Sequence, residues 1–263
     1  GLRFDTFHLP FERDDDIATI ILNAPSKLNA LGRESWVLLR DEIGALSKDD
    51  MLRCVVLRGA GDKAFAAGAD ISEFETVRAD ADGAKEYGDL VTETVELIAA
   101  CRHPTIALIM GVCIGGGLEI ATACDLRICG ESSRFGIPIN RLGLVAGYPE
   151  IRLLLDLVGP AVTLEILFEG RILGAREAAG KGLVNRVVAD ANVEKEVFET
   201  ARRIADGAPL VARWHKKFVR RLTDPAPLTA AELDEAYACY DTEDYRTGRE
   251  AFLDKKKPVF KGR

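Results

Sequence analysis

Apolar and polar positions divide this chain into short unbroken apolar runs and longer stretches with helical spacing. Ile17–Leu22 (IATIIL), Cys54–Leu57 (CVVL) and Thr105–Met110 (TIALIM) are runs of strand length, and they predict buried strands. Shorter strands are expected at Leu126–Ile128, Arg134–Phe135 and Leu183–Val188, and a strand-like segment surrounds His8 near the start. Between them, Glu34–Leu46 and Gly83–Ala100 carry apolar residues on one helical face, with Leu90, Val91, Val95, Leu97 and Ile98 set among charges in the second. Further helices are expected over Pro149–Val158, Ala161–Phe168 and Ala175–Gly182. Beyond residue 190 the pattern turns helical, over Val193–Ala205, Leu210–Leu222, Ala230–Tyr240 and Glu243–Leu253. This order predicts an α/β core over 1–190 followed by a C-terminal helical region over 191–263.

Gly111–Asp125 reads GVCIGGGLEIATACD, three consecutive glycines between an apolar run and a helix-compatible run. A strand passing through a glycine turn into a helix presents bare backbone N–H groups at a positive helix end. Glu119 falls on the first turn of that helix, within reach of anything held against those groups. The arrangement suits an oxyanion forming beside a general acid or base. It suits equally a close helix–strand contact with a glutamate complementing the helix dipole.

A second segment, Lys63–Phe74 (KAFAAGADISEF), follows the Cys54–Leu57 run. Ala66, Ala67, Gly68 and Ala69 are small enough to let a ligand approach the main chain, and Asp70 can cap the turn that follows. Two strand-to-turn segments offering one N–H each make an oxyanion hole.

Composition narrows the classes. At 263 residues, 48% hydrophobic and 29% charged, the chain can bury one large core. A net charge of −7 argues against broad nucleic-acid binding. No apolar run reaches the roughly 18 residues of a membrane span. No signal-peptide pattern opens the sequence, and its start at Gly1 rather than Met leads us to expect a few residues upstream. Six cysteines, mostly inside apolar runs and without paired metal-ligand spacing, read as reduced core residues of a cytoplasmic protein. His8, His103 and His215 form no metal or nucleophile pattern, and the basic stretch Arg213–Arg221 reads as the polar side of an amphipathic helix.

Several motifs in order resemble the crotonase (enoyl-CoA hydratase/isomerase) superfamily. They are AFAAGADI, GVCIGGGLEIATACDLRI, the FG-x-P and LG elements within Phe135–Gly143, EGRILGAREAAGKGLVNRVV at Glu169–Val188 and AFLDKKKPVFKGR at Ala251–Arg263. The resemblance runs nearly end to end. It implies a spiral of repeated strand–strand–helix (ββα) units, a C-terminal helical region that packs against neighbouring subunits, and a homotrimer or hexamer. It further implies an acyl-CoA substrate, with coenzyme A entering as part of the thioester and no tightly bound cofactor, in a setting such as fatty acid metabolism.

Carried onto this sequence, the family motifs put the oxyanion-hole donors at the backbones of Ala69 and Gly116 and an acid/base at Glu119. Coenzyme A contacts carry over to Lys27 (phosphate), Ala30, Ala67, Ala69, Asp70 and Ile71, and to Lys255, which in some relatives reaches a neighbouring subunit's nucleotide. Hydratases of the family place a second glutamate just after FG-x-P. Here that position is Ile139, which transfers no proton. Asn140, Tyr148 and Glu150 are the nearby replacements, and the stretch that is usually PGAGG reads VAGYPE at Val145–Glu150. The resemblance therefore implies an enoyl-CoA hydratase or related lyase first. Decarboxylation or hydrolysis of an acyl-CoA, or acyl-CoA or RNA binding without turnover, are the alternatives.

Overall fold

The computed structural model describes residues 11–263, so His8 and the segment around it lie outside the described residues. In chain order the elements are β1 (Phe11–Asp14), β2 (Ile17–Leu22), α1 (Arg33–Lys48), β3 (Cys54–Gly59), β4 (Ala64–Ala66), α2 (Phe74–Val77) and α3 (Ala81–Ala100). There follow β5 (Thr105–Ile109), β6 (Val112–Ile114), α4 (Gly116–Ala123), β7 (Leu126–Gly130), β8 (Arg134–Gly136) and α5 (Tyr148–Glu169). The chain ends with β9 (Leu173–Gly174), α6 (Ala175–Gly180), β10 (Arg186–Val188), α7 (Val193–Asp206), α8 (Pro209–Leu222), α9 (Ala230–Glu235) and α10 (Glu243–Leu253).

Two sheets organise these elements. The larger runs β1-β2-β3-β5-β7-β10 and the smaller β4-β6-β8-β9. Only the β1–β2 and β8–β9 pairs are antiparallel among the described residues. Three times the chain lays a strand in the larger sheet, crosses to the smaller one and leaves through a helix: β3–β4–α3, β5–β6–α4 and β7–β8–α5. This is the ββα spiral that the motifs imply.

Alternation along the strands explains the packing. Ala18, Ile20, Leu22, Val55, Leu57, Ala107 and Ile109 face Trp36, Leu39 and Ile43 of α1 and Val95 and Ile98 of α3. Ile17, Cys54, Val56, Ile106, Leu108 and Ile128 face the other way and are covered by Val193, Val197, Ala201 and Ala205 of α7. Both faces of the central strands are thus buried, which is why they read as continuous apolar runs rather than alternating ones.

Three details depart from or refine the sequence expectations. The run Thr105–Met110 does not lead directly into the glycine turn: Gly111, at φ 67°, turns the chain into the separate strand β6. A Cβ on Gly111 would lie 1.9 Å from the Lys63 carbonyl oxygen, so the crossing between sheets requires glycine. Expected as one helix, Ala230–Tyr240 ends at Glu235, and Ala238–Asp241 tightens into a 3-10 turn. The two helices expected at 149–158 and 161–168 are present: α5 consists of two helices that meet at a kink at Gly159 (φ 75°), just before Pro160.

Candidate active site

The smaller sheet positions the site. β4 and β6 are parallel neighbours, with Ala64 opposite Val112 and Ala66 opposite Cys113. Each leads into a glycine with left-handed φ, Gly68 at 102° and Gly115 at 54°. A Cβ on Gly115 would lie 3.6 Å from the Gly68 Cα, so the two turns run side by side. The next residues, Ala69 and Gly116, line one cleft of about 230 Å³, and neither backbone N–H has a partner among the described residues. Gly116 opens α4, so its N–H also sits at the positive end of a helix. The third glycine, Gly117, packs on β4, where a Cβ would come within 2.4 Å of the Ala66 carbonyl oxygen.

A third segment braces these turns. Leu31 N–H donates to Gly68 O (2.7 Å), Asp70 N–H to Leu31 O (2.9 Å) and Ala67 N–H to Leu28 O (3.0 Å). Asn29, buried at φ 57°, holds that segment: its Oδ1 accepts from Ala24 N–H (2.9 Å), and its Nδ2 donates to Ala60 O (3.1 Å) and Ala64 O (2.9 Å). At about 1 kcal/mol net per hydrogen bond, Asn29 fixes the N-A-L turn against β4. Lys27 pairs with Asp70 (Nζ to Oδ2, 2.9 Å), and Asp70 Oδ1 caps the next turn through Ser72 N–H. Hydrogen bonds from the Ser72 hydroxyl (2.6 Å) and then from Lys27 hold the Asp70 carboxyl below the usual range. Ala67 and Ile71 border the cleft, whereas Lys27, Ala30 and Asp70 stand behind its rim. Lys255, after α10, does not border it.

Glu119 lines the cleft on the first turn of α4, partly buried and with no hydrogen-bond partner for its carboxylate among the described residues. Its pKa is raised to about 7, first by burial and then by the negative charge of Glu150, with Arg78 opposing both. Ile139 also lines the cleft and packs on the core. Of the three replacements considered for it, one reaches the site. Asn140 turns away, donating from Nδ2 to Phe168 O (3.1 Å), and Tyr148 is exposed outside the cleft. Glu150 is 9% exposed, borders the cleft, and takes a hydrogen bond on Oε1 from Thr92 Oγ1 (3.0 Å). Its Oε2 is buried with no partner. That oxygen folds back over the start of α5, where a Cβ on Gly147 would meet it at 2.5 Å.

Thr92, Arg78, Tyr87 and Trp36 were not singled out by sequence. Trp36 donates from Nε1 to Tyr87 Oη (2.9 Å), and its ring lies where a Cβ on Gly116 would be 3.0 Å away. A side chain at 116 therefore presses on Trp36 rather than projecting freely into the cleft. No local motif marks these residues, because tertiary packing alone brings them together. His103 is buried away from the cleft with its pKa lowered to about 4, chiefly by burial, and His215 is exposed. Among the described residues there is no cluster of His, Cys, Asp and Glu able to hold a metal, and no helix long and apolar enough to cross a membrane. Five of the six cysteines are buried as free thiols.

Two parallel-strand turns thus present unpaired N–H groups beside a partly buried carboxylate, an arrangement able to hold a developing oxyanion next to an acid or base. Comparison with known proteins makes the assignment specific. The model of the enoyl-CoA hydratase/isomerase family matches residues 12–263, and the chain belongs to that family, the crotonases, lyase- and isomerase-type enzymes of CoA thioesters. It is 34% identical over 251 residues to a crotonyl-CoA hydratase of Syntrophomonas wolfei, covering 95% of this chain and 96% of the relative. It is 33% identical over 248 residues to a short-chain-enoyl-CoA hydratase of Clostridium acetobutylicum, covering 94% of each. A crystal structure of an enoyl-CoA hydratase/carnithine racemase from Magnetospirillum magneticum superposes with a TM-score of 0.95 at 50% identity, covering 96% of this chain and 95% of that one.

Proposed function

We propose that this protein hydrates a 2-enoyl-CoA, with the backbone N–H groups of Ala69 and Gly116 holding the thioester oxygen and Glu119 and Glu150 moving the protons. The observation that carries this reading is the second carboxylate. Ile139 removes the acid expected after FG-x-P, and Glu150 brings one to the same cleft from the next helix. Its Oε2 has no partner and, in this reading, turns from the start of α5 toward the cleft to accept a proton from water, while Thr92 holds the other oxygen.

The steps balance as follows. Water attacks C3 as Glu150 takes its proton, and the C2–C3 π pair moves to C2–C1 while the carbonyl pair moves onto the thioester oxygen. Two preorganised donors stabilise that charge; losing one typically costs about 3–4 kcal/mol. The enolate collapses as protonated Glu119 delivers its proton to C2, giving a 3-hydroxyacyl-CoA. A pKa of about 7 lets Glu119 exist in both forms near neutrality. The proton on Glu150 then returns to Glu119 through solvent in the cleft.

Coenzyme A binding is assigned to Lys27, Ala30, Ala67, Ala69, Asp70 and Ile71, of which Ala67, Ala69 and Ile71 line the cleft and the others lie on the segments that brace it. Lys255 serves a neighbouring subunit in this reading, which its distance in sequence and its place outside the cleft support. Within the region 191–263, α7 covers the larger sheet, and the helices after it serve assembly into a homotrimer or hexamer. The exposed Leu222, Leu233, Tyr237, Phe252 and Leu253 supply an apolar surface of the kind that subunits cover. A cytoplasmic location fits the buried free thiols. Incubating the protein with crotonyl-CoA, with mass spectrometry of the product, tests the reaction. A product heavier by one water is expected; unchanged crotonyl-CoA, or loss of the acyl group to free coenzyme A, overturns hydration of this substrate.

A further inference from the structure

Arg78 is an arginine without an anion. It follows α2 and borders the cleft, partly buried, with its guanidinium carbon 4.8 Å from the Phe74 ring centroid and 4.7 Å from that of Tyr87. The two rings fix the position of the guanidinium but satisfy none of its five N–H donors, which point in the plane of the group. Among the described residues no carboxylate lies within ion-pair distance of Arg78, and no acceptor takes a hydrogen bond from it. Other arginines withdrawn from solvent are tied down: the partly buried Arg58 pairs with Glu194 (2.8 Å), and the buried Arg127 donates to Leu183 O, Ala121 O and Cys124 O.

The place of Arg78 indicates which part of a ligand it meets. Tyr87, beneath it, accepts the Trp36 indole hydrogen bond, and Trp36 abuts Gly116. The line of contacts from Arg78 through Tyr87 and Trp36 therefore ends beside Gly116, and the charge of Arg78 is felt at Glu119. The ion pair Lys27–Asp70, on the rim assigned to the nucleotide, involves different residues. The rest of the wall near the carboxylates is apolar, with Val91, Ile139, Leu144 and Val145. An anionic acyl group entering this cleft would be repelled by Glu119 and Glu150, and a planar cation offering paired donors is what admits it.

We propose that Arg78 binds a carboxylate at the far end of the acyl chain, so that the substrate class is the mono-CoA thioester of a short unsaturated dicarboxylic acid. This rests on the reading of Ala69 and Gly116 as the thioester-binding pair. Calorimetric binding of saturated ligands, which cannot be hydrated, tests it independently of turnover. Glutaryl- and adipyl-CoA are compared with butyryl-CoA on wild type, Arg78→Gln, Arg78→Lys and Lys27→Ala. Wild type is expected to prefer at least one carboxylated ligand. Arg78→Gln should lose roughly 10- to 100-fold for that ligand relative to butyryl-CoA, with Arg78→Lys retaining part of the preference because it keeps the charge but not the fork. Lys27→Ala should weaken all three alike. An equal loss for all three ligands in Arg78→Gln would make a coenzyme A phosphate the anion and overturn the proposal, as would a wild type with no preference for either carboxylated ligand. If the preference holds while crotonyl-CoA and its carboxylated analogues are not hydrated, the binding site stands and the hydration reading falls.

Discussion

The two walls of the cleft are built on different principles. The wall made by the turns after β4 and β6 is main chain: Gly68 and Gly115 hold conformations that other residues adopt poorly, and Ala69 and Gly116 contribute only their N–H groups. The opposite wall, from Pro138 to Glu150, is side chain, and a buried carboxylate arrives there from the first turn of α5. A backbone device tolerates little change, because a Cβ at Gly117 or Gly111 strikes carbonyl oxygens. A side-chain device moves freely between positions that reach the same volume. Ile139 and Glu150 are eleven residues apart in sequence, yet both line the cleft.

The comparison is broken most severely at Glu119, which lines the cleft from the first turn of α4. Glu119→Gln keeps the shape and removes the proton carrier, so turnover should fall by about 10²–10⁴-fold. The Kd for coenzyme A, measured by calorimetry, should change little, since the nucleotide contacts proposed above lie on other segments. Retention of most of the rate would remove Glu119 from the mechanism.

The same substitution has a stability signature of opposite sign. The pKa of Glu119 is raised in the folded protein from 4.5 to about 7, so the folded state holds the proton more tightly than the unfolded chain. Stability from this group is fully present below pH 4.5 and is lost as the pH rises to 7. Above pH 7, Glu119→Gln should therefore exceed wild type, by at most about 3 kcal/mol before solvent screening in the cleft reduces it. Urea melts at pH 5 and pH 8 check this: the gap between variant and wild type should widen at the higher pH. A gap that narrows would mean that Glu119 is stabilised as an anion.

A smaller effect is expected at Thr92, which donates to Glu150 Oε1 and does not border the cleft. Thr92→Val removes the 3.0 Å hydrogen bond to Oε1 and should lower kcat about tenfold, with KM for the enoyl-CoA nearly unchanged. Thr92→Ser, which keeps the hydroxyl, should restore most of the loss. Equal rates for the valine and serine variants would deny Thr92 a positioning role.

The difference between the walls also decided what the sequence disclosed. Strands such as Cys54–Gly59 and Thr105–Ile109 were legible because burial on both faces writes an unbroken apolar run. The three-residue strands β4 and β6 were hidden inside motifs that read as turns, since so few residues carry no periodicity. The glycine turns suggested an oxyanion hole, the family resemblance assigned Ala69, Gly116 and Glu119 to it, and all three line one cleft. Glu150 was a candidate no better than Asn140 or Tyr148, because nothing local distinguishes an acid that turns into a cleft from one that caps a helix. Arg78, Tyr87 and Trp36 meet across 51 residues and carry no spacing signal at all.

The central claim is that Glu150 supplies the carboxylate that position 139 lacks. The most direct test is the pH dependence of kcat/KM for an enoyl-CoA that the wild type hydrates, measured in wild type and Glu150→Gln. Wild type should show a limb near pH 7 from Glu119, whose titration is set by burial, by Glu150 and by Arg78. Glu150→Gln should lose about 10²–10⁴-fold at its optimum, and the remaining limb should move to lower pH because the neighbouring negative charge is gone. A Glu150→Gln enzyme with the wild-type rate and an unmoved limb would contradict the account.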